Sequence, residues 1–510
     1  MRKLFHSGRI RRLPGGAFAD WLVVEDQRVV AVGTGDPPAA DESVDLDGAW
    51  LLPAFADGHV HLPVTGLEEI GLDFRGERSV DAILNAFSQR ADSSGAVLYG
   101  GNFEDPLDRP ISRLDLDGAV GDRPALLSRV DKHSCIVSTA LLDKLEVEGL
   151  EGVDRDADGH PTGYLREKAC SQAWSWLDAN LTDAEQTEAV RAAARKAYSK
   201  GVASVHEMFV VEWRGWSALG GFLRAIAEVD LKVVTYCGTD EVSRVKKMGF
   251  PRIGGDYFLD GAFGSHTAWL SEPYATRPPL GTPESGISYR NDEDLLEFFM
   301  DAHHQGLQVA VHAIGDAAIE QAITTWEAVA DKVGVYAVRD RGHRLEHFEF
   351  STDDHIARAA NLGLRLSVQP VFDLYWGGDA KLYSQRMGWE RAAQMNRFGS
   401  MLAAGLLLGS GSDSTVTPMD PFMQLVALRE HHVPKERMGD IESLRLVTMG
   451  ARALAEGPTL AGTVEPAAPA DLVLLDRDPA TTHGDELLAT EVLGTWIDGR
   501  RVWPEGEADE

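Results

Sequence analysis

Between residues 182 and 413 the chain alternates two kinds of apolar pattern. Short runs rich in β-branched residues read as strands; longer stretches with apolar positions three and four apart read as helices. The expected strands are 203–207, 232–237, 257–260, 308–312, 344–347, 365–369 and 406–413. The expected helices between them are 182–200, 216–229, 292–305, 317–330, 353–362 and a short 401–404. Thr182 with Glu185 three residues later forms a capping box, which defines where the first of these helices starts. A further apolar stretch at 53–62 supplies an eighth strand upstream. Eight strands alternating with helices predict an α/β fold of the (β/α)8, or TIM-barrel, type. The alternative is an open doubly wound sheet, and no GxGxxG follows a strand to support its dinucleotide-binding version.

The two ends of the chain have a different texture. Residues 21–33 and 492–503 each read as a β-hairpin, the second turning at Asp498-Gly499, and 470–476 reads as a buried strand. The two β ends predict one small β-sandwich domain, 1–52 with 458–510, flanking a barrel at 53–457. Residues from about 67 to 185 do not follow the βα rhythm. Helical patterns at 81–90 and 138–145, a strand at 125–130 and a turn-rich loop at 154–163 read as an insertion after the first barrel strand, placed to cover the site. The loop superficially suggests a calcium site but has no Glu at the twelfth position.

The 510 residues are 44% apolar and 25% charged, ordinary for a soluble globular protein. The excess of 80 acidic over 49 basic side chains, net −31, argues against nucleic acid and anionic membranes as partners. Three widely spaced cysteines with no CxxC argue against a disulfide framework or a cysteine zinc site. No apolar run follows the basic N-terminus, and none reaches the ~18 residues of a membrane span. Cytoplasm is the expected location. A small molecule is the expected partner, and a homodimer is compatible with the sequence.

The chemistry sits at strand ends. The strand at 53–62 ends in His59 and His61, and residues two apart on a strand point to the same side. His312, His347 and Asp413 end the fifth, sixth and eighth strands. In a barrel all strands end on the catalytic face, so these five side chains converge. Each alone has a plain structural reading, such as a hydrogen-bonded core histidine or a cap; together they predict a metal site. Imidazole with carboxylate and no thiolate suits zinc best, with iron, manganese, nickel and cobalt as alternatives. A bound divalent ion lowers the pKa of water from 15.7 towards about 7 and polarises a carbonyl. Asp413 can take the proton and hand it to a leaving nitrogen.

With these residues in place, the chain resembles the amidohydrolase superfamily, and within it the YtcJ-like, N-substituted formamide deformylase-like branch. The matching stretches are 53–62, 131–134 (DKHS), 159–163 (GHPTG), 201–206, 259–265 (LDGAFGS), 309–316, 344–347 and 411–413. The resemblance implies a barrel with a β-sandwich from both termini. It implies metal ligation by His59, His61, His312 and His347, with Asp413 as ligand and proton shuttle. Many relatives carry on strand four a carboxylated lysine that bridges two metals. That position is Asp256 here, a shorter carboxylate that can ligate directly, so one or two ions are expected.

Further residues follow with less support. The resemblance places His133 in the substrate pocket, and His206 and His266 are candidates to touch substrate. Trp269, Phe372, Tyr375 and Trp376 offer an aromatic pocket. Glu349 shares the side of His347 on an alternating strand and is expected to orient it. The neighbouring pairs His303/His304 and His431/His432 read as surface residues of helices. The function expected is a metal-dependent hydrolase cleaving a non-peptide C–N bond of an N-substituted amide or formamide by metal-activated water. Alternatives are a deaminase, for which no Glu stands after His312 in the expected place, an ester or lactone hydrolase, or a non-catalytic metal-binding relative.

Overall fold

The computed structural model describes residues 1–506 except 93, 94, 96, 131, 133, 280 and 281. Among them, eight parallel strands carry the centre of the molecule: β1 (Phe55–Val60), β2 (Val202–Phe209), β3 (Lys232–Cys237), β4 (Arg252–Phe258), β5 (Gln308–Ala313), β6 (Arg344–His347), β7 (Arg365–Val368) and β8 (Leu407–Ser410). Hydrogen bonding groups them as β3-β2-β1 and β4-β5-β6-β7-β8. Past the end of β8 the chain returns to β1: Asp413 N–H donates to the His59 carbonyl at 2.8 Å, and His61 N–H to the Ser414 carbonyl at 2.9 Å. Strands such as β2 and β5 are buried along their length, which is why they read as continuous apolar runs rather than alternating ones.

Helices follow the strands: α1 (Leu62–Ile70), α2 (Asp183–Ser199), α3 (Val211–Ile226), α4 (Asp292–His304), α5 (Asp316–Val333), α6 (Asp353–Leu362), α7 (Pro370–Trp376) and α8 (Pro421–Arg429). The capping box of α2 forms as its sequence predicts, with Thr182 and Glu185 each satisfying the other's backbone N–H. Helix α3 begins five residues before the expected start, 211 against 216, because Gly215 (φ 80°) breaks it and hides the first turn from a periodicity search.

Strand β4 departs most from expectation. It runs Arg252–Phe258 instead of 257–260, and Asp260 lies in the following loop. Gly254 and Gly255 carry it through φ 87° and 83°, a backbone region closed to most side chains. A Cβ on Gly254 would lie 1.9 Å from the Ala310 carbonyl oxygen of β5. Two such glycines make a strand look like a loop in sequence, and they aim Asp256 into the centre.

Both ends of the chain meet in one six-stranded sheet, ordered Arg500–Trp503, Val492–Ile497, Leu472–Leu475, Trp50–Pro53, Arg9–Arg11, Phe18–Ala19. Its alternation assigns two faces. Leu51, Leu472 and Leu474 pack with Phe5, Leu22 and Val24 of a four-stranded N-terminal sheet. Leu52, Val473 and Leu475 join the core of the central strands. Residues 154–163 form a β-hairpin, Val153–Arg155 with Pro161–Arg166, rather than an open loop. The hairpin edges a six-stranded sheet whose other members include Ser134–Val137 and Ala125–Arg129, inserted between α1 and α2. The helix expected at 138–145 is a single turn, Thr139–Leu142.

Candidate metal centre

Strand ends bring six ligand-type side chains into one cluster. His59 and His61 come from β1, Asp256 from β4, His312 from β5, His347 from β6, and Asp413 from just beyond β8. Asp256 lies at the middle. Its Oδ2 is 3.1 Å from His61 Nε2, and its Oδ1 is 3.5, 3.7 and 3.8 Å from His59 Nε2, His312 Nδ1 and His347 Nε2. Asp413 Oδ1 is 3.1 Å from His61 Nε2 and 3.5 Å from His59 Nε2. His61, with its side chain 24% exposed, is the open side of a cluster whose other members are buried. His347, Phe348 and Asp413 adopt φ 71°, 51° and 53°. Non-glycine residues in that region cost on the order of 1 kcal/mol each, and such strain gathers at functional sites.

A buried polar atom without a partner costs about 1–3 kcal/mol. His59 Nε2, Asp256 Oδ1, His312 Nδ1, both ring nitrogens of His347, and Asp413 Oδ1 are all buried without a hydrogen bond. They lie on side chains that face one another, and imidazole nitrogen with carboxylate oxygen is a donor set for a divalent transition metal. The residues fit the ion that the sequence pattern implies.

The electrostatics point the same way. Burial raises the Asp256 carboxyl, but the charge of His59 and the facing rings of His312 and His347 outweigh it and hold Asp256 well below the usual carboxylate range. Burial lowers His61, yet the facing carboxylates of Asp256 and Asp413 push it up to about 10. The two carboxylates gather positive charge at this point.

Behind the cluster is a buried relay that the sequence pattern did not reveal. His59 Nδ1 lies 2.9 Å from Glu346 Oε2, and Arg344 grips both Glu346 oxygens at 2.6 Å. Arg344 also donates to the Gly58 carbonyl at 2.9 Å, to His206 Nδ1 at 2.9 Å and to the Tyr236 hydroxyl at 3.2 Å. Burial lifts Glu346, but the charge of Arg344 and the bond from His59 bring it down to about 2. His206 is thus a partner of Arg344 below the cluster, its pKa driven well down by burial and by Arg344. Glu349, expected beside His347, instead accepts from the Tyr383 hydroxyl at 2.7 Å. The positive φ angles at His347 and Phe348 break the alternation on which that expectation rested.

Asp260 accepts backbone N–H bonds from Ile314, Gly315 and Trp269 and lies 3.8 Å from His312 Nε2. His266, at φ 58°, places Nε2 3.1 Å from the Thr276 hydroxyl, and burial with the charge of Arg386 takes it down to about 4. His133 lies outside the described residues. Rings flank the cluster: Phe258 is 4.7 Å from His312 and stacks under Trp213 at 4.6 Å, while Phe372 lies parallel to His347 at 6.1 Å with Trp376 4.6 Å beyond.

His431 and His432 are not surface residues. They follow α8 and converge on Asp373 of α7, a second group with metal-type side chains. His432 Nδ1 is 2.5 Å and His431 Nε2 3.2 Å from Asp373 Oδ1. Val433 N–H donates to His431 Nδ1 at 3.0 Å, so in the neutral ring the proton sits on Nε2, facing the carboxylate. That nitrogen faces Asp373 without a hydrogen bond, while His432 bonds Asp373 through its ring and its backbone N–H, so the group clamps the two segments together.

The Amidohydrolase family model matches residues 42–503. The candidate amidohydrolase YtcJ of Bacillus subtilis is 28% identical over 99% of both chains. The N-substituted formamide deformylase of Arthrobacter pascens is 24% identical over 94% of each. A crystal structure of an uncharacterized metal-dependent hydrolase from Pyrococcus furiosus superposes with a TM-score of 0.77 at 27% identity, covering 94% of this chain and all of that one.

Proposed function

This chain belongs to the amidohydrolase family, a group of metal-dependent hydrolases acting on carbon–nitrogen bonds, and on that premise we propose that its substrate is an N-substituted amide or formamide. The fold is of the TIM-barrel type seen in the family's structures. We read the two parallel sheets as one closed barrel at 53–457, supported by the bonds between β1 and the chain after β8, and residues 1–52 and 458–510 as its β-sandwich.

One observation carries the reading of the site: unpartnered buried nitrogens and oxygens of His59, His312, His347, Asp256 and Asp413 fall in three overlapping groups of ligand-type atoms. These residues, with His61, would hold one or two divalent ions, and zinc suits the donors. When bound, such an ion supplies Lewis acidity towards water and a carbonyl oxygen. The chain supplies the rest. Asp413 takes a proton at Oδ1 from the attacking water and delivers it to the leaving nitrogen, which departs as the amine. His61, on the exposed side, marks where substrate enters. Glu346 and Arg344 fix the ring of His59. The Arthrobacter relative, an N-substituted formamide deformylase, supports formamides as the first substrates to try.

Metal per chain, measured by elemental mass spectrometry after dialysis without chelator, is expected to be close to one or two equivalents. No retained metal after incubation with zinc, manganese or iron would remove the reading. His61→Ala is expected to abolish formate release from N-substituted formamides and to weaken metal retention while the fold survives. A fully active variant would contradict the assignment.

A further inference from the structure

The histidine that leads the cluster is held by a charged chain crossing the barrel. His59 Nδ1 meets Glu346 Oε2 at 2.9 Å, and Glu346 is gripped through both oxygens by Arg344. All three side chains are fully buried. An ionised carboxylate can only accept, so the shared proton belongs to His59 Nδ1, and in the neutral, metal-binding form of the ring the lone pair is on Nε2. That nitrogen is one of the unpartnered atoms facing the cluster. Arg344 is itself anchored from three sides, by the Gly58 carbonyl, by His206 Nδ1 and by the Tyr236 hydroxyl. A guanidinium can only donate, so His206 accepts at Nδ1 and stays neutral. The Tyr236 hydroxyl donates its hydrogen bond to Gln308 Oε1 at 2.7 Å, which leaves its lone pairs towards Arg344. Every proton in the chain therefore has one arrangement.

A buried ion pair of this kind gives no net stability by itself, since desolvating two charges offsets their attraction. A hydrophobic pair of equal volume would fill the space at similar stability. The arrangement makes sense through what it does to His59. We propose that Glu346 is the positioning residue of the metal centre: it fixes the ring of His59 as an Nε2 ligand, with Arg344 and His206 holding the carboxylate in register. The inference rests on the metal reading above and assigns to His206 a place in this relay.

The test compares zinc affinity, by competition with a chromophoric chelator, with the denaturant midpoint of the metal-free protein, in wild type, Glu346→Gln, and the pair Arg344→Met with Glu346→Gln. Glu346→Gln alone strands the buried Arg344 and is expected to lower both quantities. The double variant removes both charges and is expected to recover the midpoint. Its zinc affinity is expected to stay about 10–100-fold below wild type, the usual cost of losing a carboxylate behind a ligating histidine. If the double variant binds zinc as tightly as wild type, the relay serves only the fold and the proposal is wrong. If Glu346→Gln binds zinc like wild type, it is wrong as well. Wild type that binds no zinc, manganese or iron would overturn the metal reading and this inference with it.

Discussion

Asp413 faces two histidines through one oxygen and holds a left-handed backbone to do so. Burial raises its carboxyl, but the charge of His59 and the adjacent His61 outweigh this and keep it below the usual range, ready to accept a proton. Asp413→Asn keeps the shape and removes the base. With metal in saturating excess, kcat is expected to fall by about 10²–10⁴-fold, the range for losing a general base. Retained turnover would assign the proton transfer to another group. Five of the six clustered residues were legible because each stands at or near the end of a strand, where parallel strands bring their C-terminal ends together; Asp256 was named by resemblance. Glu346 was not legible. It stands beside His347, and its partner His59 is 287 positions away on another strand. Only the contact between β1 and β6 reveals it.

At the scale of elements, sequence patterns found strands that end in function but misplaced one with internal glycines. In β4 the bulge at Gly254 and Gly255 displaced the expected strand downstream, although Asp256 itself was named by resemblance. Adjacent histidines misled for a related reason: His431 and His432 lie past the end of α8, where the helical rule that neighbours diverge no longer applies. Their clamp fastens α7, which carries Phe372 against His347, to the chain after α8. Asp373 also accepts the His432 backbone N–H at 3.0 Å. Asp373→Ala leaves these buried donors without an acceptor, at about 1–3 kcal/mol for each one stranded. Urea unfolding is expected to show that loss, with metal per chain unchanged. A drop of one metal equivalent would instead identify the Asp373 group as a second metal site.

For the molecule as a whole, the decisive junction is between the central strands and the sheet built from both ends. Asp471, just before the strand Leu472–Leu475, sits there nearly inaccessible. It accepts from Lys232 at the start of β3 at 2.7 Å, lies 2.9 Å from Arg452, and takes the Asp498 N–H at 3.0 Å. Burial raises its carboxyl, but the charges of Arg452 and Lys232 and the hydrogen bonds prevail and hold it below the usual carboxylate range. A group whose pKa is lowered by folding adds stability above its unfolded pKa, about 4 for Asp, and loses it as pH falls through the folded value. Asp57 and Asp260 act with the opposite sign: mainly through burial, each is raised to about 6, so acid favours their folded form. A wild-type stability profile therefore mixes both slopes. Comparison with Asp471→Asn separates them. At neutral pH the variant strands Arg452, and it is expected to be about 3–5 kcal/mol less stable, as when one partner of a buried pair is removed. The difference is expected to shrink as pH drops below about 4, because the unfolded wild type then takes up a proton that folded Asp471 accepts only at its lower value. Chemical denaturation of both proteins at matched pH values measures it directly. A difference that stays constant down to pH values below the unfolded carboxylate range would mean that Asp471 holds the junction through hydrogen bonds alone, without help from its charge.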